Sequence, residues 1–147
     1  MMKCRLLTAS IAVWLLAGCG AAPPGAEPIL LDRVNCSRCG MLISSDDHSA
    51  QSQAHGRSTR FFDDIGCLAS DPDADAADAN RYVRLVSGAW ATTGSAWFAR
   101  SATTKTPMDY GILAFATEDE ARAANRDGQA HDWPAIVTLA KTKRVNA

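Results

Sequence analysis

Apolar positions along this chain come in short clusters divided by polar turns, with one long exception at the start. Leu6 to Ala17 is a nearly continuous apolar run behind Lys3 and Arg5. A spanning helix needs about 20 apolar residues, so this run reads as the h-region of an export signal with a positive n-region. Further on, Arg81-Tyr82-Val83-Arg84-Leu85-Val86 alternates as a half-buried strand does. Residues 49–54 and 58–62 predict two strands around a turn at His55-Gly56-Arg57. Short strands are also predicted at residues 29–32 and 112–116, and residues 90–100 predict a short helix or a bulged strand. Asp63 or Asp64 caps a short helix carrying Ile65, Cys67 and Leu68. Thr117 caps a second helix from Glu118 to about Arg126, with Glu120 at the capping-box position and Gly128 as the stop. The last element begins near Trp133-Pro134 and carries Ile136, Val137 and Leu139. Residues 71–80 are acidic with little apolar bulk and read as a solvated loop. They lack the glycine-centred turn and closing Glu of a calcium loop. The fold class is α+β, with mainly antiparallel strands and short helices. No internal repeat and no Gly-rich phosphate loop is visible.

The apolar run ends in Leu16-Ala17-Gly18-Cys19, which matches the bacterial lipobox. Cleavage before Cys19 leaves a cysteine that is diacylated on sulfur and acylated on its new amine. The alternative is an ordinary signal cut near Ala21-Ala22. Two or more acyl chains anchor firmly, and Gly20 after the lipid cysteine points to the outer membrane. The organisation expected is therefore a signal at residues 1–18, a lipidated Pro/Gly/Ala-rich flexible tether at 19–28, and one compact domain at 29–147. About 130 residues remain after cleavage, enough for a real core. The whole chain has a net charge of −1, and the signal removes two cations and no acid. No basic stripe supports nucleic-acid binding.

Cysteine usage changes the picture most. Of five cysteines, Cys4 leaves with the signal and Cys19 takes lipid, so Cys36, Cys39 and Cys67 are the available thiols. Three is odd, so at least one lies outside any intramolecular disulfide. Asn35-Cys36-Ser37-Arg38-Cys39-Gly40-Met41 gathers two thiols and a thioether, donors that suit soft copper(I). On an extended segment Cys39 and Met41 project from one face, Gly40 lets the backbone bend, and Cys36 can swing alongside across a tight turn. Other readings stay open: Met41 as core filler and a Cys36–Cys39 disulfide. Zinc is poorly supported, because no second CxxC or histidine pair completes four ligands. Cys67 is either a small buried apolar residue or a third thiol near the loop. Among the histidines His48, seven residues beyond Met41, is the chosen donor candidate; His55 and His131 fall in loops.

Three blocks then carry a resemblance: Cys36-Ser-Arg-Cys39-Gly-Met41, Phe61-Phe62-Asp63-Asp64-Ile65-Gly66-Cys67, and Thr106-Pro107-Met108-Asp109-Tyr110-Gly111-Ile112-Leu113-Ala114-Phe115. With the lipobox, and in this order, they resemble the NosL family, the accessory lipoproteins of nitrous-oxide reductase assembly. The resemblance implies a monomeric, periplasm-facing, non-enzymatic copper(I) chaperone. Its partners would be nitrous-oxide reductase and other copper-handling proteins. It also implies two similar small α/β halves, related to the fold of the organomercurial lyase MerB. The family's copper-binding cysteine and methionine map onto Cys39 and Met41, and its Pro-Met loop maps onto Met108. Many relatives have glycine after that methionine, whereas this chain has Asp109. The rival function is a periplasmic thiol–disulfide oxidoreductase using Cys36 and Cys39. It would need a cysteine at a helix N-terminus, and Gly40 follows Cys39 at once.

Overall fold

The computed structural model describes residues 25–73, 76–125 and 127–145. The expected signal segment, the expected lipidation site Cys19 and the expected tether up to residue 24 lie outside the described residues. β1 (Ala50–Ala54) and β2 (Arg60–Phe62) form the expected hairpin, pairing Ala50 with Phe62 and Ser52 with Arg60. α1 (Ile65–Ala69) follows after two residues, and Asp64 caps it by accepting from the Gly66 N–H. β3 (Ala79–Arg84) and β4 (Trp90–Thr92) complete an antiparallel sheet of order β2-β1-β3-β4. β5 (Trp97–Arg100) and β6 (Ile112–Phe115) make a second antiparallel pair, followed by α2 (Glu118–Ala124) and α3 (Trp133–Val145). A parallel bridge from Leu85 to Ala114 joins the two sheets, and His131 bonds both ways with Phe98 along the outer side of β5.

The chain thus runs hairpin–helix twice, β1-β2-α1 and β5-β6-α2, with two residues between strand and helix each time. The core lies between them. Ile43, Phe62, Ile65, Leu68, Val83, Phe98, Ile112 and Ile136 are almost fully buried, and Phe98 stacks obliquely on Trp133 at 5.7 Å. α3 supplies Ile136, Val137 and Ala140 to this core.

Four expectations need correction. Residues 29–32 form a turn, closed by Leu31 N–H to Ile29 O and Arg33 N–H to Leu30 O, with Asp32 at φ 58°. Leu30 and Leu31 stay exposed, and the turn sets Asp32 N–H on Ile43 O at 2.8 Å. Residues 90–100 are two strands belonging to different sheets, because Ser95 and Ala96 N–H both turn back to Thr92 O. The acidic loop is not wholly solvated: Asp71 is buried and takes both guanidinium arms of Arg60 at 2.8 and 2.7 Å. Finally, Gly25 and Glu27, expected in a flexible tether, are fastened to β1. Gln51 exchanges bonds with the Glu27 backbone, and the Gln53 amide donates to Gly25 O.

Elsewhere the local signals hold. Thr117 and Glu120 form the capping box, although α2 ends at Ala124. Asp109 does not block its loop. It sits at φ 56°, a left-handed conformation that Asp tolerates better than most residues.

Candidate metal centre

The site is built from a turn and a strand–helix junction brought together by tertiary packing. In the turn, Cys36 N–H donates to Met41 O at 2.7 Å and Gly40 N–H to Cys36 O at 2.9 Å, with Asn35 paired to Leu42. Gly40 takes φ 78°, the left-handed geometry that lets the chain double back. Ser37 N–H donates to Phe61 O at 2.7 Å, which docks the turn on β2. The β2–α1 junction carries Asp63 and, one helical turn later, Cys67. Asp63 precedes the extended cap residue Asp64, and the entry into α1 brings its carboxylate beside the Cys67 sulfur.

The ligand atoms of Cys36, Cys39, Asp63 and Cys67 all lie within 4.8 Å of one another. All three cysteines are free thiols. Cys36, Cys67 and Asp63 are 2%, 2% and 3% exposed, and Cys39 forms the half-buried lip. Its Sγ lies 3.7 Å from both oxygens of Asp63. Four donors on a zinc-like ion at about 2.3 Å would stand about 3.8 Å apart, so modest tightening closes this set on a metal. Three thiolates make it a site for soft ions.

The electrostatics follow from crowding. The Cys67 thiol and the backbone N–H groups of Cys39, Asp63 and Arg38 stabilise a thiolate at Cys36, holding its pKa well below the usual thiol value despite burial. The partner effect pushes Cys67 far up, with burial adding to it. Burial, then the bond to Cys36, pushes Cys39 to about 11. Burial and the same neighbour raise Asp63 to about 6. Crowding therefore favours the ionised form at Cys36 and the protonated forms at Cys39, Cys67 and Asp63.

The structure brings Cys36 and Cys39 together as the sequence suggested, and adds Cys67 and Asp63. Met41 is 49% exposed beside exposed Leu42, with only its backbone tied into the turn. Met108 is half-buried against the core cluster that contains Cys36 and Cys67. Its loop is fixed on α1 by Met108 N–H to Asp64 Oδ2 at 3.0 Å, and on α3 by Lys143 reaching Met108 O at 3.5 Å. His48 is half-exposed before β1 and is not among the converging groups. Asp63 was missed as a donor. Its signal was the Asp63-Asp64 doublet: a helix needs one cap, and the spare carboxylate stands four residues before a cysteine.

Among solved structures, the copper chaperone NosL from Shewanella denitrificans matches with a TM-score of 0.61. The match covers 76% of this chain and 96% of that one, at 19% sequence identity. The fold is NosL-like. At that identity the likeness speaks for the fold, and the chemistry rests on the thiol group described above. No family model and no curated protein matches the sequence.

Proposed function

We propose that this protein is an exported, lipid-anchored carrier of copper(I) that serves assembly of the copper centre of nitrous-oxide reductase. The observation that carries the reading is the convergence of three free thiols at a turn whose backbone is already fixed by hydrogen bonds. Thiolates prefer soft ions such as copper(I), and a copper chaperone shares the fold. In this reading Cys39, half-buried at the lip of the group, and exposed Met41 receive the ion, with Cys36 as a further donor; Met108 and His48 stay candidates from the sequence, and His48 stands apart from the converging thiols. The lipobox at residues 16–19 supports a periplasm-facing position, tethered to the outer membrane. Copper is cargo here, not a resident cofactor, and no bond in the protein is made or broken beyond metal–ligand exchange.

The test is an anaerobic copper(I) titration of the reduced protein against a calibrated chelator, followed by incubation with copper-free nitrous-oxide reductase. Tight one-to-one binding and rising copper in the reductase are expected. A loaded protein that leaves the reductase without copper removes the partner from the proposal.

The depressed pKa of Cys36 next to Cys39 speaks for the oxidoreductase reading. Against it, Cys36 is buried and opens no helix, so a substrate disulfide has no line of approach to its sulfur. Insulin-reducing activity that survives Met41→Ala and needs both cysteines would favour that rival.

A further inference from the structure

Three carboxylates are buried among the described residues, and two have ordinary reasons to be there. Asp71 is held by Arg60 and by the Asp73 N–H. Asp64 accepts from Gly66 N–H at 2.8 Å, Thr106 Oγ1 at 2.6 Å and Met108 N–H at 3.0 Å. Among the described residues Asp63 has neither a cation nor a backbone donor on its oxygens. Its neighbours there are thiols: Cys39 at 3.7 Å from each oxygen, with Cys36 and Cys67 beside it. Burying a carboxylate against weak S–H donors is costly, and a bound cation offsets that cost. Cys67 shares the puzzle, because its buried sulfur faces two other sulfurs and a carboxylate instead of apolar side chains alone.

The geometry points to one closed site in which Cys36, Cys39, Cys67 and Asp63 jointly hold a single soft d10 metal ion. Cys67 and Asp63 are then metal ligands, supplied by a segment 22 to 26 residues beyond Met41, the end of the turn. This deepens the carrier reading and rests on it. Copper(I) would take the three thiolates with Asp63 alongside, whereas zinc(II) would use all four donors as a tetrahedral set. The buried donors Cys36, Cys67 and Asp63 retain the ion. Half-buried Cys39 and exposed Met41 form the way out, so retention and release fall to different residues.

The experiment loads the reduced, full-length protein with copper(I) or zinc(II) in separate arms. It counts sulfur neighbours by X-ray absorption and measures affinity by chelator competition. Wild type should show three sulfurs around either ion, and Met41→Ala should keep all three. Cys67→Ser should lose one sulfur and weaken both ions at least about 100-fold, and Asp63→Asn should weaken zinc(II) about 10- to 100-fold. A wild-type count of two, or a Cys67→Ser variant unchanged in count and affinity, overturns the closed site. Unchanged zinc affinity in Asp63→Asn overturns the four-donor set. The wild-type count needs no variant to fold. If wild type binds neither ion, the carrier reading itself fails; if it binds copper(I) through fewer sulfurs, only this inference does.

Discussion

The two hairpin–helix units of the chain use one local design for different ends. Each passes from strand to helix through two residues, and in each the second is an N-cap whose side-chain oxygen accepts a helix N–H: Asp64 before α1 and Thr117 before α2. In the second unit those linking residues, Ala116 and Thr117, are exposed, and α2 buries only Ala121. In the first unit Asp63 and Asp64 are both buried and so is every residue of α1. The exposed cap serves its own helix. The buried pair reaches outward: Asp64 fastens the Met108 loop, and Asp63 turns to the cysteines. Burial converts a local start signal into tertiary organisation, because a carboxylate removed from water must find partners wherever the fold supplies them.

The largest test of this contrast concerns protons. In the free protein burial and the neighbouring thiol favour the protonated forms of Cys39 and Cys67, while Cys36 is shifted toward its thiolate. Ligation by all three sulfurs then expels about two protons per ion. Raised thiol pKa values favour the metal-free form at low pH, so affinity should climb with pH, by about 100-fold per unit between pH 7 and 9. Isothermal titration in buffers of different ionisation heat measures the proton count. A slope of one proton would mean that only one of these two thiols binds.

Next in size is Asp64→Ala, which removes a charged cap and strands the Thr106 hydroxyl and Met108 N–H. A loss of about 3 kcal/mol or more is expected from urea unfolding. The matching change Thr117→Ala in the exposed cap should cost about 1 kcal/mol. Equal losses at the two caps would break the comparison.

The same contrast holds one step into each helix. A Cβ on Gly66 would sit 1.9 Å from Tyr110 Cγ, and Tyr110 is held in place by its hydroxyl bond to Ser70 and by Lys143 over its ring. Gly66→Ala should therefore cost about 2 to 3 kcal/mol. Asp119→Ala, at the equivalent exposed position of α2, should cost no more than about 0.5 kcal/mol. Thermal melts of the pair would show whether close approach, rather than helix position, sets the difference.

Much of the fold was legible because its signals are local. The hairpin of residues 50–62, the caps at Asp64 and Thr117, the capping box with Glu120 and the strand Ile112–Phe115 each depend on neighbours a few residues away. Residues 90–100 misled because their aromatic spacing suits a helix or one bent strand; the split at Thr92 reflects two sheets competing for the chain. The turn of Cys36 to Met41 was likewise readable as a soft-metal loop from its own residues.

By itself, then, the sequence determined the hairpin of residues 50–62, the caps of α1 and α2, and that two thiols and a thioether share one short loop. Only the tertiary structure decided that Asp63 and Cys67 join that loop while the Met41 side chain stays at the surface. The reason is physical: their meeting depends on how the turn docks against β2 and α1, a contact between segments more than twenty residues apart. No local propensity encodes that contact; the packing of Phe62, Ile65 and Leu68 in the shared core does.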